Sequence, residues 1–167
     1  MVRSYAMRPE AMEFRNFASG YGVWLSSTAI DTILATAAQA GSRETGGILI
    51  GRYDAEGWMA EITEATSKPR GSRAGWWWFR RGTTGLRELL AARWADGYHY
   101  LGEWHYHPNG SPAPSGTDIF SMHKISVDPA YQCPEPILVI IGGRPPQQWQ
   151  LSVSVVRRET LVSLSHA

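Results

Sequence analysis

The sequence predicts a single α/β or α+β domain built on a mixed sheet. Helical patterns alternate with apolar strand patterns along the chain, an order that places helices against a sheet. The 167 residues correspond to one domain of ordinary size. Residues 46–52 form a continuous apolar run bounded by glycines, which is typical of a strand buried on both faces.

The start of the chain is divided into an arm and the domain itself. Residues 1–20 lack clear periodicity and are interpreted as an N-terminal arm, with the domain at 21–167. The first helix is predicted to begin at a capping box formed by Thr28 and Asp31. Gly41 follows its last apolar position and is expected to end it.

The remaining elements follow from alternating or continuous apolar runs between Gly- and Pro-rich turns. Strands are predicted at residues 21–25, 46–52, 58–65, 76–80, 98–105, 137–141 and 149–157. Two further helices are predicted at residues 84–95 and 115–125.

Composition excludes several classes of protein. Sixteen Lys and Arg against fifteen Asp and Glu argue against a dedicated nucleic-acid or membrane-surface binder. The longest strongly apolar run, residues 137–141, is too short to span a membrane. The charged N-terminus is not typical of a signal peptide. With Cys133 as its single cysteine, the chain is expected to be cytoplasmic.

The candidate metal-binding residues are predicted to lie between residues 102 and 118. His105 and His107 are two apart, so on a strand their side chains point to one face and can reach one metal ion. Asp118 follows a Pro-rich loop that can return the chain to the same ion. Two imidazoles and a carboxylate leave a fourth position for water, as in catalytic zinc sites. Ser115 and Asp118 also form a helix capping box, which explains both residues without chemistry.

A metal-bound water that attacks a carbonyl needs a base to accept its proton. Glu44, Glu64 and Glu103 are the candidates, and their spacing does not choose among them. Glu103 shares the strand face of His105, so it is also placed to support that ligand.

The candidate site residues match the motifs of one protein family. Glu44 before the run Gly46–Gly51, then His105-x-His107-Pro108, then Ser115-x-x-Asp118 resembles the JAB/MPN (JAMM) zinc metalloproteases, and the seven residues from Pro108 to Pro114 match the family spacing. The resemblance covers about residues 21–157. It implies a mixed curved sheet flanked by helices, with a cytidine-deaminase-like overall architecture.

The resemblance also implies the role of each residue. His105, His107 and Asp118 would bind one Zn²⁺, Glu44 would be the general base and acid, and Ser115 would stabilise the oxyanion. The middle residue, Tyr106, departs from the commoner Ser or Thr. Because it points away from the metal at strand spacing, we expect no loss of activity.

The family hydrolyses amide bonds after the C-terminus of ubiquitin-like proteins, either in conjugates or in precursors. This chain is most similar to short bacterial JAB proteins that resemble the deconjugating isopeptidases of antiphage operons. The implied substrates are a ubiquitin-like protein, its conjugate or a conjugated nucleotidyltransferase, beside E1-like and E2-like operon partners.

Two other functions stay open on sequence alone. The two-His, one-carboxylate set also suits a non-haem iron or cupin-like oxygenase. A non-catalytic binding module would use the basic segment at residues 65–87, in which Trp76–Trp78 lie, to dock an acidic partner. A zinc nucleobase deaminase is excluded, because it requires H-x-E and P-C-x-x-C motifs.

Overall fold

The computed structural model describes residues 9–67 and 84–167. The strands in these ranges are β1 (Met12–Asn16), β2 (Tyr21–Leu25), β3 (Thr45–Tyr53), β4 (Met59–Ala65), β5 (His99–Pro108), β6 (Ile137–Arg144), β7 (Gln148–Arg157) and β8 (Thr160–His166). The helices are α1 (Ser27–Ala40), α2 (Thr84–Ala95) and α3 (Gly116–Val127).

The strands close into a barrel in the order β1-β2-β4-β3-β5-β6-β7-β8, and β8 pairs back to β1. Pairs β2–β4 and β5–β6 are parallel, and the other pairs are antiparallel. The sheet is therefore mixed, as predicted. Its closure gives every described strand a partner on both sides.

Strands β1 and β8 were not predicted from the sequence. Strand β1 lies within the segment interpreted as an arm, and β8 follows the last predicted strand. Each buries only one side chain, Phe14 and Leu164 respectively, so neither shows a clear alternation of apolar residues. The predicted strand at 76–80 lies outside the described residues, as does most of the basic segment.

Helix α1 begins two residues earlier than predicted, at a different cap. The Ser26 hydroxyl accepts a hydrogen bond from the Ala29 amide at 3.1 Å and donates to the Thr63 carbonyl. Thr28 already lies inside the helix, so the capping box predicted from Thr28 and Asp31 is wrong. Gly41 ends the helix as predicted, with a φ of 63° that favours glycine.

Two apolar clusters cover opposite faces of the strands. One packs α1 against side chains such as Leu49, Trp104 and Val139. The other packs α2 and α3 against neighbours of those residues, including Ile48 and Ile140, because consecutive strand residues point to opposite faces. Within the described part of the chain, no helix is both long enough and apolar enough to cross a bilayer.

Strand β5 contains a β-bulge, and this bulge determines on which face of the sheet the side chains of its last residues lie. Leu49 pairs with Gly102 and Ile50 pairs with Tyr100, so Leu101 is the extra residue of a bulge. Gly102 has a φ of 155°, and a Cβ there would lie 1.9 Å from the Ile137 carbonyl oxygen. The bulge lets Leu101 and Trp104 share one core face, and it leaves the side chains of 103, 105 and 107 on the other.

Candidate active site

The end of strand β5 and the start of helix α3 bring three of the predicted residues together. The Nδ1 atom of His105 lies 2.6 Å from Oδ1 of Asp118, and the Nε2 atom of His107 lies 3.3 Å from Oδ2 of the same carboxylate. All three side chains are largely shielded from solvent, and Asp118 is only 7% exposed. The two histidines point to one face, as their spacing predicts.

Helix α3 fixes the carboxylate of Asp118 through a complete capping box. The Ser115 amide and hydroxyl each donate to Oδ2 of Asp118 at 2.7 Å, and the Asp118 amide donates to the Ser115 hydroxyl at 3.1 Å. The capping role predicted for the two residues is confirmed. The same carboxylate faces His105 through Oδ1 and His107 through Oδ2, so capping does not turn it away from the histidines.

The loop between the histidines and Ser115 is held down by strands β6 and β7. A Cβ on Gly142 would lie 2.4 Å from the Gly110 carbonyl oxygen, so only glycine allows the loop to pass this close. The Ser152 hydroxyl donates to the Pro112 carbonyl at 2.6 Å. The Ser111 carbonyl lies 3.1 Å from Nδ1 of His107. Because a carbonyl only accepts hydrogen bonds, this contact leaves Nε2 of His107 to face Asp118.

His105 and Asp118 form an ion pair. Burial disfavours the imidazolium, but hydrogen bonds to Asp118 and Glu103 outweigh burial and raise the pKa of His105 to about 9. Burial also disfavours the Asp118 carboxylate, yet contacts with His105 and Ser115 hold the pKa of Asp118 well below its usual range. Both groups are therefore charged at neutral pH, and His105 must release its proton before it can bind a metal ion.

The structure separates the three glutamates that the sequence left as candidates. Glu64 lies beside Arg93 of α2, whose Nε and Nη2 atoms donate to its carboxylate at 2.6 and 3.2 Å. Glu103 is 7% exposed, and its Oε2 lies 3.2 Å from Nε2 of His105. Glu44, in contrast, is exposed to solvent. Glu103 thus takes the supporting place beside His105 that the shared strand face predicted.

Glu44 stands at the same end of the barrel as the histidines. It directly precedes β3, in which Thr45 pairs with Tyr106 and Gly46 pairs with His105. A Cβ on Gly47 would lie 1.8 Å from the Thr66 carbonyl oxygen, so glycine here permits close packing of the strand. The antiparallel register therefore carries Glu44 towards His107.

The donor set at Asp118 fits a catalytic zinc ion. Two imidazole nitrogens and one carboxylate are ligands that zinc takes, and three protein ligands leave one position open. Among the described residues, no three His, Cys, Asp or Glu side chains are already spread to hold a metal. His105 and His107 contact Asp118 directly instead, so metal binding requires these side chains to move apart.

The other histidines and the cysteine are bystanders. Burial raises the pKa of the Cys133 thiol to about 12, so the thiol is neutral and unsuited to nucleophilic attack. His99 packs edge-on against Trp94, His123 bonds the Arg158 carbonyl, and His166 packs edge-on against Phe14.

Sequence reasoning missed two supporting groups. The Ser111 carbonyl beside His107 gives no signal, because a backbone acceptor is not visible in a pattern of side chains. The Tyr106 hydroxyl, which bonds two backbone carbonyls, was predicted only to point away from the metal.

The mixed sheet, with His-x-His at the end of β5 and Ser-x-x-Asp at the start of α3, agrees with the resemblance to the JAB domain. Residues 26–152, well over half of the chain, match the family described as prokaryotic homologues of the JAB domain. The chain belongs to this family, which confirms the resemblance found in its motifs.

Two curated proteins are similar to the chain over much of its length. It is 45% identical over 158 residues to the CD-NTase/cGAS isopeptidase of Enterobacter hormaechei subsp. hoffmannii (strain UCI 50), covering 95% of this chain and 88% of that protein. It is 32% identical over 104 residues to the CD-NTase/cGAS isopeptidase of Pseudomonas aeruginosa (strain BWHPSA011 / Pa011), covering 60% and 63%.

A solved structure supports the fold alone. The solution structure of protein DSY2949 from Desulfitobacterium hafniense aligns with a TM-score of 0.55 at 22% identity, covering 83% of this chain and 87% of that one.

Proposed function

We propose that this protein is a zinc-dependent isopeptidase or peptidase that cleaves the amide bond after the C-terminus of a ubiquitin-like protein. The observation that carries the proposal is the meeting of His105, His107 and Ser115 at the carboxylate of Asp118. Glu44 stands at the same end of the barrel, one residue before the strand that pairs with β5.

The residues divide into those that hold the metal and those that handle protons. His105, His107 and Asp118 would hold the zinc ion, which when bound would supply a Lewis acid for the scissile carbonyl and lower the pKa of a bound water molecule. Glu44 accepts a proton from the attacking water and then gives a proton to the leaving amine. No covalent bond to the protein is needed, which agrees with the buried, neutral thiol of Cys133.

Ser115 has a second task beyond capping. Its hydroxyl donates to Oδ2 of Asp118, and one hydroxyl proton serves one strong acceptor at a time. With zinc bound, the carboxylate of Asp118 would be a weaker acceptor for this hydroxyl. The Ser115 hydroxyl then turns its proton to the oxyanion that forms at the attacked carbonyl, the step in which such a donor contributes most.

The substrate class follows from the relatives. Two similar proteins are named CD-NTase/cGAS isopeptidases, so the bond cleaved here is proposed to join a ubiquitin-like protein or a nucleotidyltransferase to its target. The enzyme would work in a bacterial conjugation system of antiviral defence, in the cytoplasm, with E1-like and E2-like proteins as operon partners.

The test is cleavage of a conjugate by matched glutamate variants. Glu44→Gln removes the proposed base, whereas Glu64→Gln changes a glutamate that binds Arg93 on α2. We expect Glu44→Gln to lower kcat by at least ~100-fold with normal zinc content, while Glu64→Gln stays within about threefold of wild type. Full cleavage by Glu44→Gln would contradict the proposed mechanism.

A further inference from the structure

Tyr106, the residue between the two histidines, lies on the opposite face of β5 from them. It is 2% exposed and belongs to the core cluster that includes Trp104. Its hydroxyl donates to the Gly41 carbonyl at 2.9 Å and also lies 3.2 Å from the Gly143 carbonyl. A buried hydroxyl shared between two backbone carbonyls ties two chain segments to one point.

The first of these segments leads directly to Glu44. Gly41 ends helix α1, and residues 41–44 form the connection to β3. The Arg43 amide donates back to the Ala40 carbonyl at 3.1 Å, so the connection is a compact turn. The Tyr106 hydroxyl therefore fixes the start of the short turn that carries Glu44.

The second segment supports the loop that follows the histidines. Gly143 pairs with Pro108 in the parallel β5–β6 ladder. Its carbonyl also accepts from the Asn109 amide at 2.9 Å. One carbonyl thus receives both the first residue after His-x-His-Pro and the hydroxyl that holds the Glu44 turn.

We propose that Tyr106 is a positioning residue that sets the distance between Glu44 and the metal centre. This inference rests on the proposed function, in which Glu44 is the general base. Tyr106 does not touch the metal or the substrate. It links the α1–β3 turn to the end of β6, where β6 pairs with β5. His105 and His107 lie on the opposite face of the same strand.

The long reach of tyrosine is what this role requires. The hydroxyl must extend from β5 to both Gly41 and Gly143, and the rigid ring carries it there with only two rotatable bonds. Loss of the hydroxyl leaves the ring in place but frees the turn. Small displacements of a catalytic group are costly, because the reaction depends on its alignment with the attacking water.

Tyr106→Phe tests the inference with Tyr131→Phe as the matched control. Tyr131 is a buried tyrosine of the other core cluster, packed against Tyr100. For Tyr106→Phe we expect kcat to fall by about 10- to 100-fold, with KM and zinc content within about twofold of wild type. Amides of residues 41–46 should exchange with deuterium faster than in wild type, while those of α3 are unchanged. Tyr131→Phe should show neither effect.

Two results would overturn the inference. One is wild-type kcat in Tyr106→Phe together with unchanged exchange at residues 41–46. The other is a loss of activity that Tyr131→Phe reproduces, which would show a general effect of removing a buried hydroxyl. Failure of the proposed function has a different signature, because the wild-type protein would then not cleave the conjugate, and failure of the role of Glu44 would leave Glu44→Gln fully active.

Discussion

Replacing Ser115 by alanine separates its role in capping α3 from the role in catalysis that is proposed for it. The hydroxyl caps α3 by accepting from the Asp118 amide, and it donates to Oδ2 of Asp118 at 2.7 Å. Losing a serine cap costs about 1 kcal/mol, within a range of about 0.5–2 kcal/mol. The backbone amide of Ser115 still donates to the carboxylate after the change, so we expect a total loss of about 1–2 kcal/mol.

This loss of stability is too small to inactivate the enzyme by unfolding. For a chain of this size each kcal/mol lowers Tm by about 2–4 °C, so Ser115→Ala should melt roughly 2–8 °C below wild type. At 25 °C the variant remains almost fully folded. Removing a donor to the oxyanion should nevertheless lower kcat by about 100- to 1,000-fold. The loss of activity therefore exceeds what the loss of stability explains.

Ser26→Ala is the matched control. Ser26 caps α1 as Ser115 caps α3, with the same 3.1 Å bond from an amide three residues on, but it lies in the cap of another helix. Thermal unfolding and steady-state kinetics of both variants should show similar decreases in Tm and a large decrease in kcat for Ser115→Ala alone. Equal kcat values for the two variants would refute the catalytic role of Ser115.

Three further outcomes are expected from the same geometry. Glu103→Ala should weaken zinc binding by about 10- to 100-fold in a chelator competition, since it removes the carboxylate 3.2 Å from His105; unchanged affinity would exclude a supporting role. Gly142→Ala should lower Tm and zinc affinity together, because its Cβ would displace the loop at Gly110; a variant identical to wild type in both would show that the loop is not held there. Zinc at about 100 times its Kd should stabilise the wild-type protein by about 2.7 kcal/mol, and His107→Ala should abolish this shift; an equal shift in the variant would place the metal elsewhere.

Much of the fold followed from the sequence because its central strands are strongly patterned. The apolar run in β3 and the predicted strand at 98–105 were found from the sequence, because most of their residues are buried. Strands β1 and β8 gave no such signal, because each buries a single side chain. The cap of α1 was misplaced because Ser26 and Thr28 are both suitable capping residues, and the Thr63 carbonyl that fixes Ser26 belongs to another element.

The candidate site was predicted in outline by the spacing of its motifs. Two-residue spacing on a strand placed His105 and His107 on one face, and the capping pattern placed Asp118 at a helix start. Spacing did not choose among the three glutamates, and only the family resemblance implied Glu44. The contacts of Glu64 with Arg93 and of Glu103 with His105 depend on the tertiary structure. Backbone acceptors such as the Gly41 carbonyl could not be predicted, since they depend on how distant turns meet.

The central claim is that metal held at Asp118 drives hydrolysis of a conjugate. The most direct measurement is cleavage of a conjugated ubiquitin-like protein or nucleotidyltransferase, followed by intact mass spectrometry. The wild-type enzyme would be compared after chelator dialysis and after reloading with zinc or with iron(II). We predict no cleavage without metal and recovery with one equivalent of zinc, giving two products whose masses sum to the conjugate plus one water. Undiminished cleavage by the metal-free protein would contradict the account, and so would oxygen consumption restored by iron(II) without any cleavage.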